Sequence, residues 1–325
     1  MMQCVAYPLL LRPVYKNYIW GGTRIAERYG RSETPDSCAE SWEVSNRPEG
    51  MSVVQNGPLA GKTLHELVAS CGPDLVGAKG RPDHFPLLIK LIDARERLSL
   101  QVHPNDETAA IYGGEAKTEA WYVVDADPDA KVYAGLRNPT SADTLREAIQ
   151  SGGVEDMLTE LPARPGKASY ISGGRLHAIG EGCLLLEVQQ SSNTTYRVYD
   201  WGRVDHDGTP RELHIDEAMR VIDWGDTSAV FTDPRLVAEH DGNAWWDVVT
   251  SPYFRVQKAR LTAAENVLHT QDSFTVLFVT TGTVAVSANG MEERLAPGTS
   301  CLIPAAAESY DLRPFGTSEL IAIRA

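Results

Sequence analysis

The stretch SLQVHP, residues 99–104, alternates polar and apolar side chains. Because successive side chains of a β-strand point to opposite faces, Ser99, Gln101 and His103 share one face of a predicted strand. Such a face is typical of a half-exposed antiparallel strand, or of a strand that lines a polar pocket. In a pocket, the amide of Gln101 and the imidazole of His103 converge on the same point, where both can act as metal ligands.

Two further segments carry candidate metal ligands. Glu119 lies in AKTEAWYVV and His177 lies in GGRLHAIG. Together with Gln101 and His103 they mix nitrogen and oxygen donors, which suits zinc at ~2.0–2.2 Å with a position open for water or substrate. Manganese, iron or cobalt also bind such ligands. The alternative is that the histidines are hydrogen-bonded structural residues of strands, because this spacing alone is not specific to a metal site.

Two lysines indicate a polar or anionic ligand. Lys90 interrupts the apolar run LLIKLID, and a buried lysine is uncommon unless it is paired. It faces a pocket, extends to solvent or pairs with Asp93. Lys117 lies two residues before Glu119 and shares its strand face, so it either binds substrate or transfers a proton.

The segment CLLLEVQQ combines an apolar strand face with a polar one, on which Glu187 and Gln189 lie. That pattern indicates a pocket wall. Arg197 follows in TTYRVYDWGR. As an ordinary structural residue it would pair with Asp200 or Glu187, whereas in a site it would supply a fixed positive charge.

Composition describes a globular protein of 325 residues, with 42% apolar and 23% charged residues. The net charge of −14 argues against non-specific binding to nucleic acid or an anionic membrane, because both repel an acidic surface. The five cysteines include no C-x-x-C pair, which favours reduced thiols over a disulfide framework. The sequence shows no signal peptide and no run of the ~20 apolar residues that span a membrane. We therefore expect a cytoplasmic protein.

Short runs rich in Val, Ile, Leu, Tyr and Thr, separated by Gly, Pro, Asn and Asp, predict many short strands. The runs are PLLIKLID, RLSLQVH, EAWYVVDA, KVYAGL, KASYIS, CLLLEVQQ, TYRVYDW, FRVQKARL, FTVLFVTTG, TVAVSANG and SCLIP. Apolar stripes predict helices in KTLHELVASCG, TSADTLREAIQSG and ELHIDEAMRVIDWG. The pattern predicts a mainly β sandwich or barrel with helical insertions, not alternating βαβ units.

Residues 163–180 and 295–312 form a weak internal repeat. Both run from Pro-Gly through a short polar step and an apolar strand to a turn of small residues. The first copy reaches His177 after the turn, where the second has Glu308 or Ser309. A duplicated β unit explains this similarity, and a chance match between two Pro-Gly turns is the alternative. We expect a boundary near 231–243, which divides the chain into domains of residues 1–235 and 236–325.

Several segments resemble the type I mannose-6-phosphate isomerases, in particular the short bacterial form of that zinc-dependent cupin family. They are PLLIKLIDARERLSLQVHPND, KTEAWYVVDA, LHAIGEGCLLLEVQQSSNTTYRVYDWGR, YIWGG and AESWEVS. The resemblance covers most of residues 7–230 and is specific around Arg197. It implies two cupin-type jelly-roll barrels, an N-terminal catalytic domain with helical insertions and a degenerate C-terminal domain without a metal site. The segment PNDETAAIYGGEA is a predicted helical insertion that departs from the usual cupin spacing.

The resemblance also implies roles for individual residues. One zinc ion per chain, or another divalent transition metal, would have four ligands: Gln101, His103, Glu119 and His177. Arg197 would be the active-site arginine. Lys90 would contact a substrate phosphate, and Ser99 would add a hydroxyl. The base is open among Lys117, Glu187 and a water on the zinc.

The activity implied is the interconversion of mannose 6-phosphate and fructose 6-phosphate through a cis-enediol, a step of carbohydrate metabolism. An isomerase of an unphosphorylated sugar on the same scaffold is one alternative, and a non-catalytic, metal-binding sugar sensor is another. A sugar phosphate is the expected partner, with neither nucleic acid nor a membrane. The sequence does not determine the oligomeric state.

Overall fold

Short β-strands make up most of the regular structure. The structure is a computed structural model that describes residues 6–78, 81, 83–205, 207–226 and 228–325. The first thirteen strands are β1 Leu9–Arg12, β2 Val14–Lys16, β3 Glu40–Val44, β4 Asn46–Arg47, β5 Gly50–Met51, β6 Val53–Val54, β7 Leu87–Ala94, β8 Leu100–Val102, β9 Glu119–Ala126, β10 Lys131–Leu136, β11 Leu158–Pro162, β12 Ala168–Ile171 and β13 His177–Ile179. The others are β14 Cys183–Gln190, β15 Tyr196–Tyr199, β16 Phe231–Thr232, β17 Arg235–His240, β18 Asn243–Thr250, β19 Arg255–Leu261, β20 Glu265–Leu268, β21 Thr275–Thr281, β22 Val284–Ala288, β23 Met291–Leu295, β24 Ser300–Ile303, β25 Ser309–Pro314 and β26 Ser318–Arg324. The prediction of a mainly β chain is confirmed.

The helices are short, and half of them are capped by side chains. They are α1 Arg24–Tyr29, α2 Leu64–Cys71, α3 Pro73–Val76, α4 Asp106–Tyr112, α5 Ala142–Ser151 and α6 Ile215–Val221, with 3-10 turns at Gly57–Leu59 and Val154–Met157. Thr63 and Glu66 form a capping box on α2, which stabilises the first turn. The three predicted helices and the predicted insertion before Glu119 are confirmed as α2, α5, α6 and α4. Within the described ranges, no helix has the length and apolar character needed to cross a bilayer.

The strands pair into four larger sheets and one two-stranded ribbon of β4 and β5. An eight-stranded sheet has the order β17-β18-β19-β26-β21-β24-β1-β6, and a four-stranded sheet has the order β20-β25-β22-β23. A seven-stranded sheet has the order β16-β12-β9-β14-β7-β3-β2, and a five-stranded sheet has the order β11-β10-β13-β8-β15. The predicted pair of closed cupin barrels stays a prediction.

The described residues form two compact units. One consists of those within 1–14, 41–90 and 233–325, and the other of those within 15–40 and 91–232. The first unit gains an N-terminal strand, because β1 pairs with β24 at Leu9 and Leu302. The second unit contains the five-stranded sheet and the segments with candidate ligands. The predicted domain boundary after residue 235 stays a prediction.

Each unit has its own apolar core. The first core contains Leu277, Val286 and Leu320, and one core cluster of the second contains Trp121, Val132 and Leu185. Their strands are short runs rich in apolar residues between turn residues, which is why the sequence pattern predicts strands there.

Most of the described cysteines are reduced. Cys38, Cys183 and Cys301 are buried, reduced thiols, as expected. Cys71 is disulfide-bonded, which differs from the expectation of reduced thiols throughout. Cys4 lies outside the described residues.

The two copies of the internal repeat have matching backbone turns. Gly166 and Gly298 have φ angles of 84° and 78°. Their N–H groups donate to Val123 O and Val279 O at 2.9 and 2.8 Å, and an apolar strand, β12 or β24, follows each turn. Because the glycine of each turn donates the same kind of hydrogen bond in both copies, a duplicated unit is favoured over a chance match of two turns.

We predict that Gly166→Ala lowers the free energy of unfolding by about 1–2 kcal/mol, because alanine is strained at positive φ. An added Cβ would lie 4.0 Å from the Tyr122 hydroxyl, so a steric clash does not contribute. Gly153, at φ −92°, provides the control, and Gly153→Ala should change stability by less than about 0.5 kcal/mol. Urea unfolding measures both, and equal stabilities would contradict this account of the turn.

Candidate metal centre

Three buried side chains of the second unit bring their donor atoms together. They are His103, which follows β8, Glu119, which begins β9, and His177, which begins β13. One ligand atom from each lies within 4.8 Å of the others, and no side chain is more than 1% exposed. Among the described residues, no other set of three His, Cys, Asp or Glu side chains is grouped so closely.

The pairing of the strands explains how distant segments meet. Gln101 pairs with His177, and Arg197 pairs with Gln101. Residues directly opposite each other in antiparallel strands project to the same face, so these three side chains form a row on the five-stranded sheet. Glu119 comes from the seven-stranded sheet, and strands of both sheets contribute to the core cluster of Trp121. The donors therefore meet inside this unit.

Backbone carbonyls determine the proton positions of both histidines. His103 Nδ1 lies 2.8 Å from Thr194 O, and His177 Nδ1 lies 2.8 Å from Arg175 O. Because a carbonyl oxygen only accepts, each Nδ1 carries the proton and each Nε2 presents a lone pair. Burial lowers the pKa of His177 to about 3, which keeps its ring neutral at pH 7.

The lone pairs of these histidines face other acceptors at distances that suit a shared cation. His177 Nε2 lies 3.3 Å from one Glu119 oxygen, and His103 Nε2 lies 3.6 Å from the other. Ligands at ~2.0–2.2 Å around a tetrahedral ion are separated by ~3.3–3.6 Å. Gln101 Nε2 lies 3.4 Å from His177 Nε2, and an amide flip would put its oxygen there. The donor set fits a divalent transition-metal ion.

Lys117 is the cationic group of the cluster. Its Nζ lies 2.7 Å from a Glu119 oxygen, 3.1 Å from His103 Nε2 and 3.9 Å from a Glu187 oxygen. Lys117 and Glu119 therefore lie side by side, as the sequence pattern predicted. The catalytic role of Lys117 stays a prediction.

Glu187 is held by a residue that the sequence reasoning missed. Trp121 donates its indole N–H to a Glu187 oxygen at 3.1 Å, and its ring meets the His177 ring edge-on at 5.5 Å between centroids. Both residues lie on neighbouring strands in register, as Glu187 pairs with Trp121. The signal was present, since Trp121 shares the face of Glu119 two residues away.

Arg197 lies in the same row as Gln101 and makes a backbone contact. Its Nη1 donates to Glu212 O at 2.8 Å, and burial lowers its pKa. The carboxylate of Asp200 instead accepts from Arg203 and Arg211. The Arg197 guanidinium therefore makes no direct hydrogen bond with the Asp200 carboxylate, which argues against that alternative.

Lys90 and Ser99 are both buried, at 6% and 4% exposure. The Lys90 ammonium lies 5.4 Å from the centre of a Trp42 ring, which is a cation–π contact. The Asp93 carboxylate accepts from the backbone N–H of Arg24. Contacts of Lys90 and Ser99 with substrate stay predictions.

An ion pair between a buried arginine and a partly buried aspartate supports the residue that orients His177. Arg175, whose carbonyl receives His177 Nδ1–H, is 2% exposed and makes two hydrogen bonds with Asp226, at 2.5 and 2.8 Å. Burial opposes ionisation of Asp226, but hydrogen bonds from Arg175 and Ser228 outweigh it and lower the pKa to about 2. Sequence reasoning missed this pair, because its role depends on a backbone carbonyl.

The turn after β14 orients the other histidine and is joined to the α4 insertion. Thr194, whose carbonyl receives His103 Nδ1–H, accepts the Glu115 N–H at 2.9 Å through its hydroxyl. Glu115 in turn accepts from Asn193 N at 3.0 Å, and its carbonyl accepts from Ser192 Oγ at 3.0 Å. The insertion therefore braces the carbonyl that fixes the His103 tautomer.

The second copy of the repeat fills the equivalent positions differently. Thr275 pairs with Ile303 as Glu119 pairs with Ile171, so it takes the place of the carboxylate. Its hydroxyl contacts His269 Nε2 at 3.0 Å and accepts from Arg324 Nε at 3.1 Å. A single metal ion per chain stays a prediction.

Comparison with known proteins connects this geometry to one family. Two family models match, one described as phosphomannose isomerase type I, catalytic domain, over residues 9–134, and one as mannose-6-phosphate isomerase, cupin domain, over residues 247–324. A probable mannose-6-phosphate isomerase of Bacillus subtilis is 37% identical over 93% of this chain and 94% of its own length. The mannose-6-phosphate isomerase of Streptococcus mutans is 35% identical over 98% of each chain. A crystal structure of a Bacillus subtilis mannose 6-phosphate isomerase matches with a TM-score of 0.89 at 34% identity, covering 98% of this chain and 99% of its own.

We predict that the Arg175–Asp226 pair gives the protein an acid-sensitive component of stability. The pKa of Asp226 is lower in the folded protein than its ordinary value of 3.8, so this component is present above pH 4 and is lost as the pH falls toward 2. It amounts to about 2 kcal/mol, and Asp226→Asn should cost about 3 kcal/mol at pH 7 because Arg175 loses its counter-ion.

Unfolding by urea at several pH values measures this component. Asp216, 72% exposed and paired with Arg146, provides the control, and Asp216→Asn should cost less than about 1 kcal/mol. If the free energy of unfolding of Asp226→Asn depended on pH between 4 and 2 as that of the wild type does, the acid-sensitive component would not come from Asp226.

Proposed function

The chain belongs to the type I phosphomannose isomerase family and is an isomerase, and we propose that it interconverts mannose 6-phosphate and fructose 6-phosphate with one zinc ion. One observation carries the proposal. His103 and His177 each have Nδ1 on a backbone carbonyl, so that both Nε2 lone pairs face Glu119. The names of the full-length relatives support the choice of substrate.

The proposed zinc ligands are Gln101, His103, Glu119 and His177. Two neutral imidazoles, one amide and one carboxylate leave a divalent ion with a net positive charge. When bound, the ion supplies Lewis acidity that polarises the oxygens on the reacting carbons of the sugar.

Proton transfer is assigned to the side chains beside Glu119. The reaction removes a proton from C2 of the aldose, forms a cis-enediol and returns a proton to C1. Lys117 and Glu187, 3.9 Å apart, are the two groups that we propose to accept and return that proton. Trp121 holds the Glu187 carboxylate in one orientation, which favours repeated transfer along the same path.

Arg197 stabilises the negative oxygen of the enediolate in this proposal. Its guanidinium stays charged throughout the reaction, and the hydrogen bond to Glu212 O limits its movement. Lys90 and Ser99 are proposed to bind the phosphate. A cytoplasmic location also remains a proposal, which rests on the sequence.

We predict that chelation abolishes isomerase activity and that added zinc restores it. His103→Ala should lose both metal and activity, because it removes a ligand. Arg197→Ala should keep the metal and lower kcat by roughly 100- to 1,000-fold, because it removes only transition-state stabilisation. Metal analysis of each purified variant and a coupled assay on mannose 6-phosphate make these measurements.

A matched control exists in the first unit. His269 also has its Nδ1 on a backbone carbonyl, Ala307 O at 2.9 Å, so His269→Ala tests the loss of a similarly held histidine. It should keep metal and turnover. Full activity after thorough metal removal would contradict the proposed role of zinc.

We predict that Lys90→Met raises KM for mannose 6-phosphate by roughly 10-fold or more, because a charge-assisted contact with phosphate is lost. The methionine keeps the apolar stem in place. Lys131, whose ammonium lies 5.2 Å from the Tyr133 ring, gives a matched control in Lys131→Met. If Lys90→Met left KM unchanged, an isomerase of an unphosphorylated sugar would become the better reading.

A further inference from the structure

Gln189 is a buried amide beside the metal cluster to which the mechanism above gives no role. It is fully buried and pairs with Glu119 across β14 and β9. Because opposite residues of an antiparallel pair share a face, its side chain lies next to that of Glu119. Glu187, two residues earlier on the strand, lies on the same face.

The orientation of this amide is determined by its neighbours. Nε2 donates to Gln190 O and to Ser192 O, both at 2.8 Å, which uses both of its hydrogens. A flipped amide would set its oxygen against two carbonyl oxygens, and none of the three could donate. The position of Oε1 is therefore fixed by hydrogen bonding.

The oxygen of Gln189 lacks a hydrogen-bond partner within the described part of the chain. Oε1 is buried and accepts no hydrogen bond there. A buried acceptor without a donor is costly, and rotation cannot relieve it because Nε2 is held at two points. The turn that holds Nε2 is itself joined to Glu115 through Ser192.

We propose that Gln189 Oε1 accepts a hydrogen bond from a sugar hydroxyl, which makes Gln189 a substrate-binding residue that selects for that hydroxyl. This inference rests on the proposed function. The neighbouring Glu119 carboxylate and the histidine Nε2 atoms are acceptors. The donor of this cluster, Lys117 Nζ, contacts Glu119 at 2.7 Å and His103 Nε2 at 3.1 Å and makes no hydrogen bond with Gln189 Oε1, so we assign the missing donor to the ligand. A phosphate dianion has no proton to donate, so the hydroxyl-bearing part of the substrate, and not its phosphate, contacts Gln189.

The test compares mannose 6-phosphate with its 3-deoxy and 4-deoxy analogues, whose missing hydroxyls are not on the reacting carbons. The wild-type enzyme should have a kcat/KM roughly 10- to 100-fold lower for one analogue, because the buried amide is then left without its donor. Gln189→Met should lower kcat/KM for mannose 6-phosphate by a similar factor and reduce that discrimination to about 1. Gln189→Leu serves as a second variant.

Gln190→Met is the matched control. Gln190 lies on the same strand, and its Oε1 already accepts the Thr118 N–H at 2.8 Å. This variant should keep the wild-type ratio between the substrate and the deoxy analogue, whatever its stability.

Three results would overturn the inference. In the first, the wild type processes both analogues as well as mannose 6-phosphate. In the second, Gln189→Met retains the discrimination between mannose 6-phosphate and the deoxy analogue. Either result would mean that Oε1 accepts its hydrogen bond from a bound water and not from the substrate. Loss of bound metal from Gln189→Met would make the amide a metal ligand instead. Failure of the wild type to turn over mannose 6-phosphate would reject the proposed function itself, which keeps the two failures separate.

Discussion

The hydrogen bonds from two imidazole Nδ1 atoms to backbone carbonyls are the constraint on which the centre depends. Each bond is 2.8 Å long and leaves the opposite ring nitrogen without a proton. With the other tautomer, His103 and His177 would direct N–H groups at Glu119 and could not bind a metal ion. The carbonyls come from Thr194 and Arg175, so the geometry of two turns sets the chemistry of two ligands.

Burial makes the cluster chemically selective. Glu119 and Lys117 are both almost fully removed from water, where an isolated charge is very costly. Each is tolerated because the other balances its charge at a distance of 2.7 Å. The apolar residues around them exclude water that would otherwise weaken each electrostatic contact. Such an environment stabilises a transient negative oxygen better than a solvent-exposed one does.

Residue types and alternation predicted most of the fold, but only part of the centre. The bounds of β9, β10 and β14 agree with the predicted runs because each strand is a short run of mostly apolar residues between turn residues. The ligands are separated by α4 and by several strands, so their grouping followed from family resemblance and not from spacing. Arg175, Thr194 and Gln189 were not assigned these roles, because they act through backbone carbonyls or through hydrogen bonds made only after folding. The disulfide at Cys71 also had no local signal.

The pairing of β1 with β24 constrains the order in which the chain can acquire its structure during synthesis. Leu9 leaves the ribosome long before Leu302 exists, so β1 can pair early with β6 but must wait for β24 while residues 91–232 emerge and can already pair among themselves. During that interval the edge of β1 that pairs with β24 lacks its native neighbour, which favours association with chaperones or with other nascent chains. The eight-stranded sheet also needs β26 between β19 and β21, so it is completed late. The unit of residues 15–40 and 91–232 can thus mature first, within a polypeptide whose earliest strand still has one open edge.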